Sequence, residues 1–575
     1  MIVLGIHAMA HDTSAALVKN GKVVAAAEEE RFVREKHTKK FPVNSVRYCL
    51  EEAGITVNDI DAVAISFKPI LYVGMLLYNI LQAFPKALLY TPRVINLLRR
   101  KSKVRKEVIR VLRDELKARK IPRIYYVPHH VAHAASAFYV SPFRRAAVLT
   151  VDGRGEYETA AVFLGRGSKL VKLWSMKFPH SVGYLYSAFT KYLGFKPQND
   201  EGKVMALASY GDTHLLRYFT ERIVTISNND VKLNLEYFDH YYRYGKRRQL
   251  FSEKLIRELG PPRNPGEPLS THHKRIARAL QEVTEEWLLR LVNKAYQLTK
   301  ERYLCMAGGV VLNCKANQKI LEEGPFDEVF IQPAANDAGT SLGAALYVYH
   351  EHRERGEEDH CFVPYLGPSF NDVKVLNVLE KYRGYIKYKR VSDPCALGAE
   401  LVSRGSIVGW FQGRMEWGPR ALGNRSILAD PRRTESRIRL DKEIKFREPF
   451  RPYAPSVLEE YAGEFFYIHQ GGRRSYGFMI ITAKVREGVA NKIPAVVHVD
   501  GTARVQLVNE RSNVLFYKLI REFYGITGIP MVLNTSFNIK GEPIVCSPED
   551  ALRTFLRTKL DYLIISNFLV EKITS

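Results

Sequence analysis

Cysteine is scarce. The six residues, at 49, 305, 314, 361, 395 and 546, lie far apart in 575 positions with no C-x-x-C pair. That excludes a disulfide scaffold and fits a reducing, cytoplasmic setting. The opening MIVLGIHAMAHDTSAALV has no basic n-region and carries two His and an Asp, so it does not read as a secretory leader. A membrane-spanning run is also missing. The nearest candidate, PILYVGMLLYNILQAFPKALLYTP, holds interior polar residues and then Pro85 and Lys86; it is expected to form a buried or lid-forming helix pair, and no membrane partner is expected. Finally, no arginine-rich tail and no RNA-binding signature stand out, which makes nucleic acid an unlooked-for partner.

What is present is a basic, ordinary globular composition. The formal net charge is +25, the hydrophobic content 46% and the aromatic content 11%. A basic field attracts small polyanions such as nucleotides and acyl phosphates as well as nucleic acid, and the same bias suits a thermophile's surface. A chain of this length divides into at least two domains.

The pattern along the chain is α/β. Two β-rich runs, 2–7 and 14–19, flank a polar turn, and Asn20-Gly21 signals a hairpin into a third. RAAVLTVDGRGEYETAAVFLGRG returns to the scheme near 145–164: strand, acidic turn, strand. Such repetition points to an internal duplication, each turn offering backbone N–H groups and a carboxylate to a phosphate or its metal. Residues 68–120 form a helical, basic insertion that reads as a solvated amphipathic stretch. Helix periodicity is clean over 271–299. AGGVVLNC then switches from strand to helix across Gly308 and Gly309, with the helix starting near Asn313; double glycines bring backbone close to a nucleotide or simply make turns. The charged, Pro/Gly-bearing stretch 349–369 marks a domain boundary.

VPHHVAHAASAF holds His129, His130 and His133. If helical, it puts His129 and His133 one turn apart on one face. Caps or satisfied core histidines explain them blandly; a divalent-metal pair awaiting a third donor explains them sharply. Asp337, in QPAANDAGTSLGAAL, stands where a helix begins, as a cap or a ligand. Beyond the boundary, arginine clusters sit among glycines: GRMEWGPRALGNRSILADPR, KFREPFRPYAPSV and HVDGTARVQLV, followed by NTSFNIKGEPIV. Guanidinium groups suit bidentate recognition of oxyanions.

With these motifs assembled, the chain resembles the carbamoyltransferase family that includes nodulation-factor and antibiotic O-carbamoyltransferases. The resemblance runs over nearly the full length, through HDTSAAL, HHVAHAASAF, DGRGE, GGVVLNC and the motifs quoted above. It implies an α/β chain: a duplicated actin-like ATPase (ASKHA) domain at 1–355, a linker at 356–370, and a YrdC-like α/β domain at 371–575. It implies carbamoyl adenylate made from carbamoyl phosphate and ATP with its Mg, then carbamoyl transfer to a hydroxyl of a small-molecule acceptor such as a sugar or natural product. The implied metal ligands are His129, His133 and Asp337, holding iron ahead of manganese or zinc. His11, supported by Asp12, is the implied base, with His7 second. Nucleotide contacts map onto Asp152, Gly153 and Glu156 and onto Gly308, Gly309 and Asn313. Carbamoyl and phosphoryl oxygens fall to Arg420, Lys445, Arg447 and Arg451, and ATP phosphates to Arg504 and Ser536. Acceptor choice is expected in 68–120 and 212–262. The competing reading is a nucleic-acid-binding or tRNA-modifying protein related to threonylcarbamoyladenosine synthesis; steeply salt-dependent RNA affinity would mark it.

Overall fold

A computed structural model of the chain describes residues 1–227, 230–242, 250–353 and 362–573. The expected linker and the 212–262 stretch lie partly outside them. The chain forms two compact units, one of Met1–Val24 with Lys39–Phe362 and one of Ala25–Thr38 with Val363–Ser575. No composition shift in the sequence marks residues 25–38 as part of the second unit.

Strands β1 (Ile2–His7), β2 (Ser14–Lys19), β3 (Lys22–Glu28), β4 (Ala62–Ile65) and β5 (Arg123–Tyr126) form the first sheet, in the order β3-β2-β1-β4-β5. The predicted Asn20-Gly21 turn joins β2 to β3, and both residues have the positive φ that such a tight hairpin needs. Strands β6 (Arg145–Val151), β7 (Glu158–Arg166) and β8 (Lys169–Lys177) follow. After a small hairpin of β9 (Val224–Ser227) and β10 (Asp230–Leu233) come β11 (Tyr303–Ala307) and β12 (Glu328–Ile331). The second sheet runs β12-β11-β6-β7-β8. β1 is antiparallel to β2 and parallel to β4, while β6 is antiparallel to β7 and parallel to β11. Strand for strand, the second sheet repeats the first. The strand–acidic turn–strand repetition in the sequence is therefore a real α/β duplication.

Two helices set the site. His129–Phe138 follows β5, and Gly339–His352 follows β12. A Cβ on Gly343 would lie 1.8 Å from the carbonyl oxygen of Ala132, and one on Gly5 would lie 1.9 Å from that of Ser341. Only glycine permits so close a backbone approach at both places. The crossing joins the Asp337 turn to the histidine helix. The helix predicted over 271–299 is present as Thr271–Thr299, its first turn capped by Ser270 accepting from the His273 N–H.

The insertion contains helices Tyr72–Ala83, Thr91–Ser102 and Val104–Arg110. The first two form the expected pair, but the pair is not buried as a whole. Tyr72, Met75, Asn79, Tyr90 and Val94 turn inward, while Leu77, Leu81 and Phe84 face outward, Leu81 at 79% exposure. Apolar residues surround the first helix on every side, and only one side finds protein to pack on. Among the described residues no helix is long and apolar enough to cross a membrane.

The second unit is built on a mixed eight-stranded sheet. From edge to edge its strands are Ile386–Arg390, Phe568–Lys572, Tyr562–Ile565, Val408–Phe411, Arg425–Ala429, Met531–Ser536, Ala454–Leu458 and Gln506–Val508. Helices Pro394–Ser403 and Val514–Thr527 pack together on it. Within this unit Arg31 donates to the Gly418 carbonyl (2.9 Å), and Arg34 to those of Ile544 (2.6 Å) and Pro543 (2.9 Å).

Candidate functional site

The three histidines of HHVAHAASAF have two fates. His130 takes the bland one: Nδ1 lies 2.8 Å from Thr150 Oγ1 and Nε2 lies 3.1 Å from the Glu158 carbonyl. Burial holds that imidazole down at about 3. His129 and His133 turn the other way, with ring centroids 4.6 Å apart. Nε2 of His129 is 3.0 Å from Oδ2 of Asp152 and 3.6 Å from Oδ1 of Asp337. Nε2 of His133 is 3.7 Å from both carboxylates, beyond hydrogen-bond range. Among the described residues neither ring nitrogen of this fully buried His133 has a hydrogen-bond partner. Burial opposes its charge, but Asp152 and Asp337 together push it up to about 9.

One donor atom each from His129, His133, Asp152 and Asp337 gathers within 4.8 Å of the others. Two imidazoles and two carboxylates around one point make a donor set for a divalent transition ion. Histidine spacing and the Asp337 turn were legible in the sequence. The sequence offers Asp152 only as a turn carboxylate for a phosphate or its metal, because nothing local shows that β6 delivers its end to the histidine helix.

The β1–β2 turn borders this cluster. His7 is buried, its Nδ1 2.8 Å from Ser66 Oγ and 3.0 Å from Thr340 Oγ1. Its Nε2 lies 3.7 Å from Asp337. Burial keeps it neutral, near 3. In the sequence Thr340 stands out only as a member of the turn with Asn336, Asp337 and Gly339, and Ser66 carries no signal. His11 is 36% exposed at its side chain. Nδ1 lies 3.0 Å from Asp12 Oδ2 and 4.0 Å from Asp337, and Asp12 sits in the left-handed region. Burial pulls His11 down, but the Asp12 bond and the Asp337 and Asp152 charges outweigh it and carry the group up to about 9.

The glycine turns do what close approach requires. Gly308 has φ +102°, and a Cβ there would sit 2.2 Å from the Val151 carbonyl oxygen; Gly309 lies against Asp152. Asn313 caps helix Cys314–Glu323 and exchanges hydrogen bonds with Gln281. Gly153 donates its N–H to Asp152 (2.7 Å). Glu156 does not point into the cluster: its carboxylate accepts from the N–H groups of His129 (3.1 and 3.2 Å) and Lys68 (2.8 Å). It therefore anchors the start of the histidine helix.

In the second unit the predicted basic residues divide. Nζ of Lys445 donates to the Ser536 carbonyl (2.7 Å) and hydroxyl (3.2 Å), and to the Asn538 carbonyl (2.9 Å) and side chain (2.6 Å). Its ammonium is thus held by protein oxygens. Arg447 pairs with Asp441 at 3.0 Å and covers the Tyr453 ring. Arg451 is 3.8 Å from Glu448. Arg420 and Arg504 are half-buried, and Ser536 donates to Asn538. Arg425, unassigned from the sequence, is fully buried and donates to the Gln412 and Pro368 carbonyls.

Comparison with known proteins agrees with both units. Residues 2–346 match the family model described as carbamoyltransferase N-terminus, and 399–572 the one described as carbamoyltransferase C-terminus. The chain is 40% identical to an uncharacterized protein of Synechocystis sp., covering 99% of this chain and 96% of that one. It is 39% identical to nodulation protein NolNO of Sinorhizobium fredii, over 98% and 79% of the two chains. Identity is also 39% to nodulation protein NolO of Bradyrhizobium diazoefficiens, over 77% and 78%.

Proposed function

The chain belongs to the carbamoyltransferase family and is an enzyme of that class; from that premise we propose that it carbamoylates a hydroxyl of a small-molecule acceptor at the His129–His133–Asp152–Asp337 cluster. The donor is carbamoyl adenylate. The C-terminal unit, as a YrdC-like domain, makes it: carbamoyl phosphate, Mg-bound ATP and water give carbamoyl adenylate, phosphate and pyrophosphate. Arg420, Arg451 and Arg504 are assigned there to the departing phosphates, while Lys445 and Arg447 hold protein oxygens.

One observation carries the reading. His133 is buried with neither ring nitrogen hydrogen-bonded among the described residues, and it faces two carboxylates at 3.7 Å. Such an arrangement is costly in an apolar interior and is resolved by a divalent cation held by His129, His133, Asp152 and Asp337, with iron the first choice. That ion would supply Lewis acidity to an adenylate phosphate oxygen.

His11 has its Nδ1 on Asp12, which fixes the tautomer and leaves Nε2 to take the acceptor's proton. The acceptor oxygen then bonds to the carbamoyl carbon, the carbon–oxygen bond to AMP breaks, and AMP leaves with the electron pair. His7, neutral and tied to Ser66 and Thr340, keeps the β1–β2 turn in register with Asp337. Of the carboxylates that raise His11, Asp12 acts first through its hydrogen bond, and a cation in the cluster would neutralise the other two, Asp337 and Asp152, which favours the neutral imidazole a base needs.

The test is a screen of hydroxyl compounds with ATP and carbamoyl phosphate, read by product mass. Gain of one carbamoyl group, dependent on both donors, is the expected result. Release of pyrophosphate with no carbamoylated product from any hydroxyl class would overturn the reading.

A further inference from the structure

Between Asp61 and Glu107 the chain has no acidic residue, yet it has nine lysines and arginines. Most of these cations are at least partly solvated. Lys101 is not. It closes the helix Thr91–Ser102 at 4% exposure, with Nζ 4.0 Å from the centre of the Phe67 ring. Among the described residues it has no hydrogen bond and no ion pair. A buried ammonium with only an aromatic face beside it is unfavourable, and burial draws Lys101 down to about 7, with Arg100 acting in the same direction.

Its neighbours are in the same condition. Arg154, in the turn between Asp152 and Glu156, gives Nη1 to the Tyr90 hydroxyl at 3.0 Å. Among the described residues its Nε is buried without an acceptor and no carboxylate pairs with it. Tyr72 is buried with a hydroxyl that makes no hydrogen bond among the described residues. The acids that reach Lys101 electrostatically are committed elsewhere: Glu156 to the His129 and Lys68 N–H groups, Asp337 to the histidine cluster.

We propose that Lys101, Arg154 and Tyr72 form an oxyanion subsite between the helical insertion and the Asp152–Glu156 turn, which takes a carboxylate, sulfate or phosphate carried by the acceptor. Phe67 follows Ser66, the partner of His7, and Arg154 lies two residues from Asp152. The subsite therefore flanks the place where the acceptor hydroxyl must lie, and the acceptor class is an acidic hydroxyl compound. The inference rests on the transfer reading above for its location, but its binding arm does not need turnover.

The full chain is first titrated with inorganic sulfate against chloride at constant ionic strength, with melting temperature and calorimetry as readouts. Lys101→Met removes the charge and keeps the stem, so the fold survives. Wild type is expected to bind sulfate, and both Lys101→Met and Arg154→Met to bind it about tenfold or more weakly, the loss of a charge-assisted hydrogen bond. Equal sulfate binding in wild type and Lys101→Met overturns the subsite. In the second arm, sugar acids and sugar phosphates compete with their neutral parent sugars in the product screen. Acidic acceptors should win in wild type and lose their advantage in Lys101→Met, with KM for ATP unmoved. A raised KM for ATP instead assigns the oxyanion to the donor and overturns the acceptor assignment. Sulfate binding that depends on Lys101, in a chain that carbamoylates nothing, supports the subsite and removes the transfer reading alone.

Discussion

Nε2 of His133 stands 3.7 Å from Oδ1 of Asp337, and among the described residues neither nitrogen of that buried ring has a hydrogen-bond partner. These residues are 204 positions apart, and the contact is made because two helices meet at Gly343 and Ala132. Asp152→Asn and His133→Ala should each weaken divalent-ion binding by more than about a hundredfold, as loss of a direct ligand exceeds the 10–100-fold typical of outer partners. Elemental analysis after dialysis against a weak chelator checks this; full metal retention in both variants would remove the cluster as a metal site.

His11→Ala should lower carbamoyl transfer by about 10²–10⁴-fold, the usual contribution of a positioned base. Pyrophosphate release without acceptor should stay near wild type. Asp12→Asn should show a smaller loss in the same step, since Nδ1 of His11 keeps a partner at 3.0 Å but not a charged one. If His11→Ala transfers at the wild-type rate with metal in place, another group takes the proton.

Gly343→Ala should destabilise the N-terminal unit by about 1–3 kcal/mol, because the new methyl meets the Ala132 carbonyl at 1.8 Å and the helices must part. Denaturant melts give the stability. Metal affinity should fall with it, since the same crossing sets the distance from His133 to Asp337.

Lys445→Met should cost the C-terminal unit about 2–3 kcal/mol, by leaving the oxygens of Ser536 and Asn538 without their donor in a buried place. Fluorescence melts of the full chain read the change. A loss of adenylate formation at unchanged stability would instead put this ammonium on substrate.

Cys395 and Cys546 should resist alkylation in the native chain at pH 8. Burial, more than any nearby charge, pushes their thiols up to about 12 and about 11, so the reactive thiolate is almost absent there. Mass spectrometry after a timed iodoacetamide pulse resolves each site; rapid labelling of either would show that its pocket opens.

The duplication, the hairpin at Asn20-Gly21, the long helix and the pair His129–His133 were readable in advance, because each depends on local spacing. The roles of Asp152 and Glu156 were not. Both belong to one acidic turn, yet one reaches the histidine rings and the other the backbone of the same helix, a difference set by tertiary packing. Lys101 was invisible for a related reason: it sits in a run of cations that reads as a solvated face, and only the position of Phe67 tells it apart. Hydropathy likewise marked Tyr72–Ala83 as apolar without saying that Leu81 and Phe84 would face outward. In the second unit, arginines among glycines suggested open anion clamps, but Arg425 and Arg447 are already occupied by protein oxygens.

The excursion of residues 25–38 has a practical outcome. Because Arg31 and Arg34 reach the carbonyls of Gly418, Pro543 and Ile544, a fragment beginning near residue 363 is born with an unfilled groove and stranded acceptors. A single cut near residue 363 leaves residues 25–38 of the second unit on the front fragment. Whoever wants the back half alone must graft a fourteen-residue loan from the front.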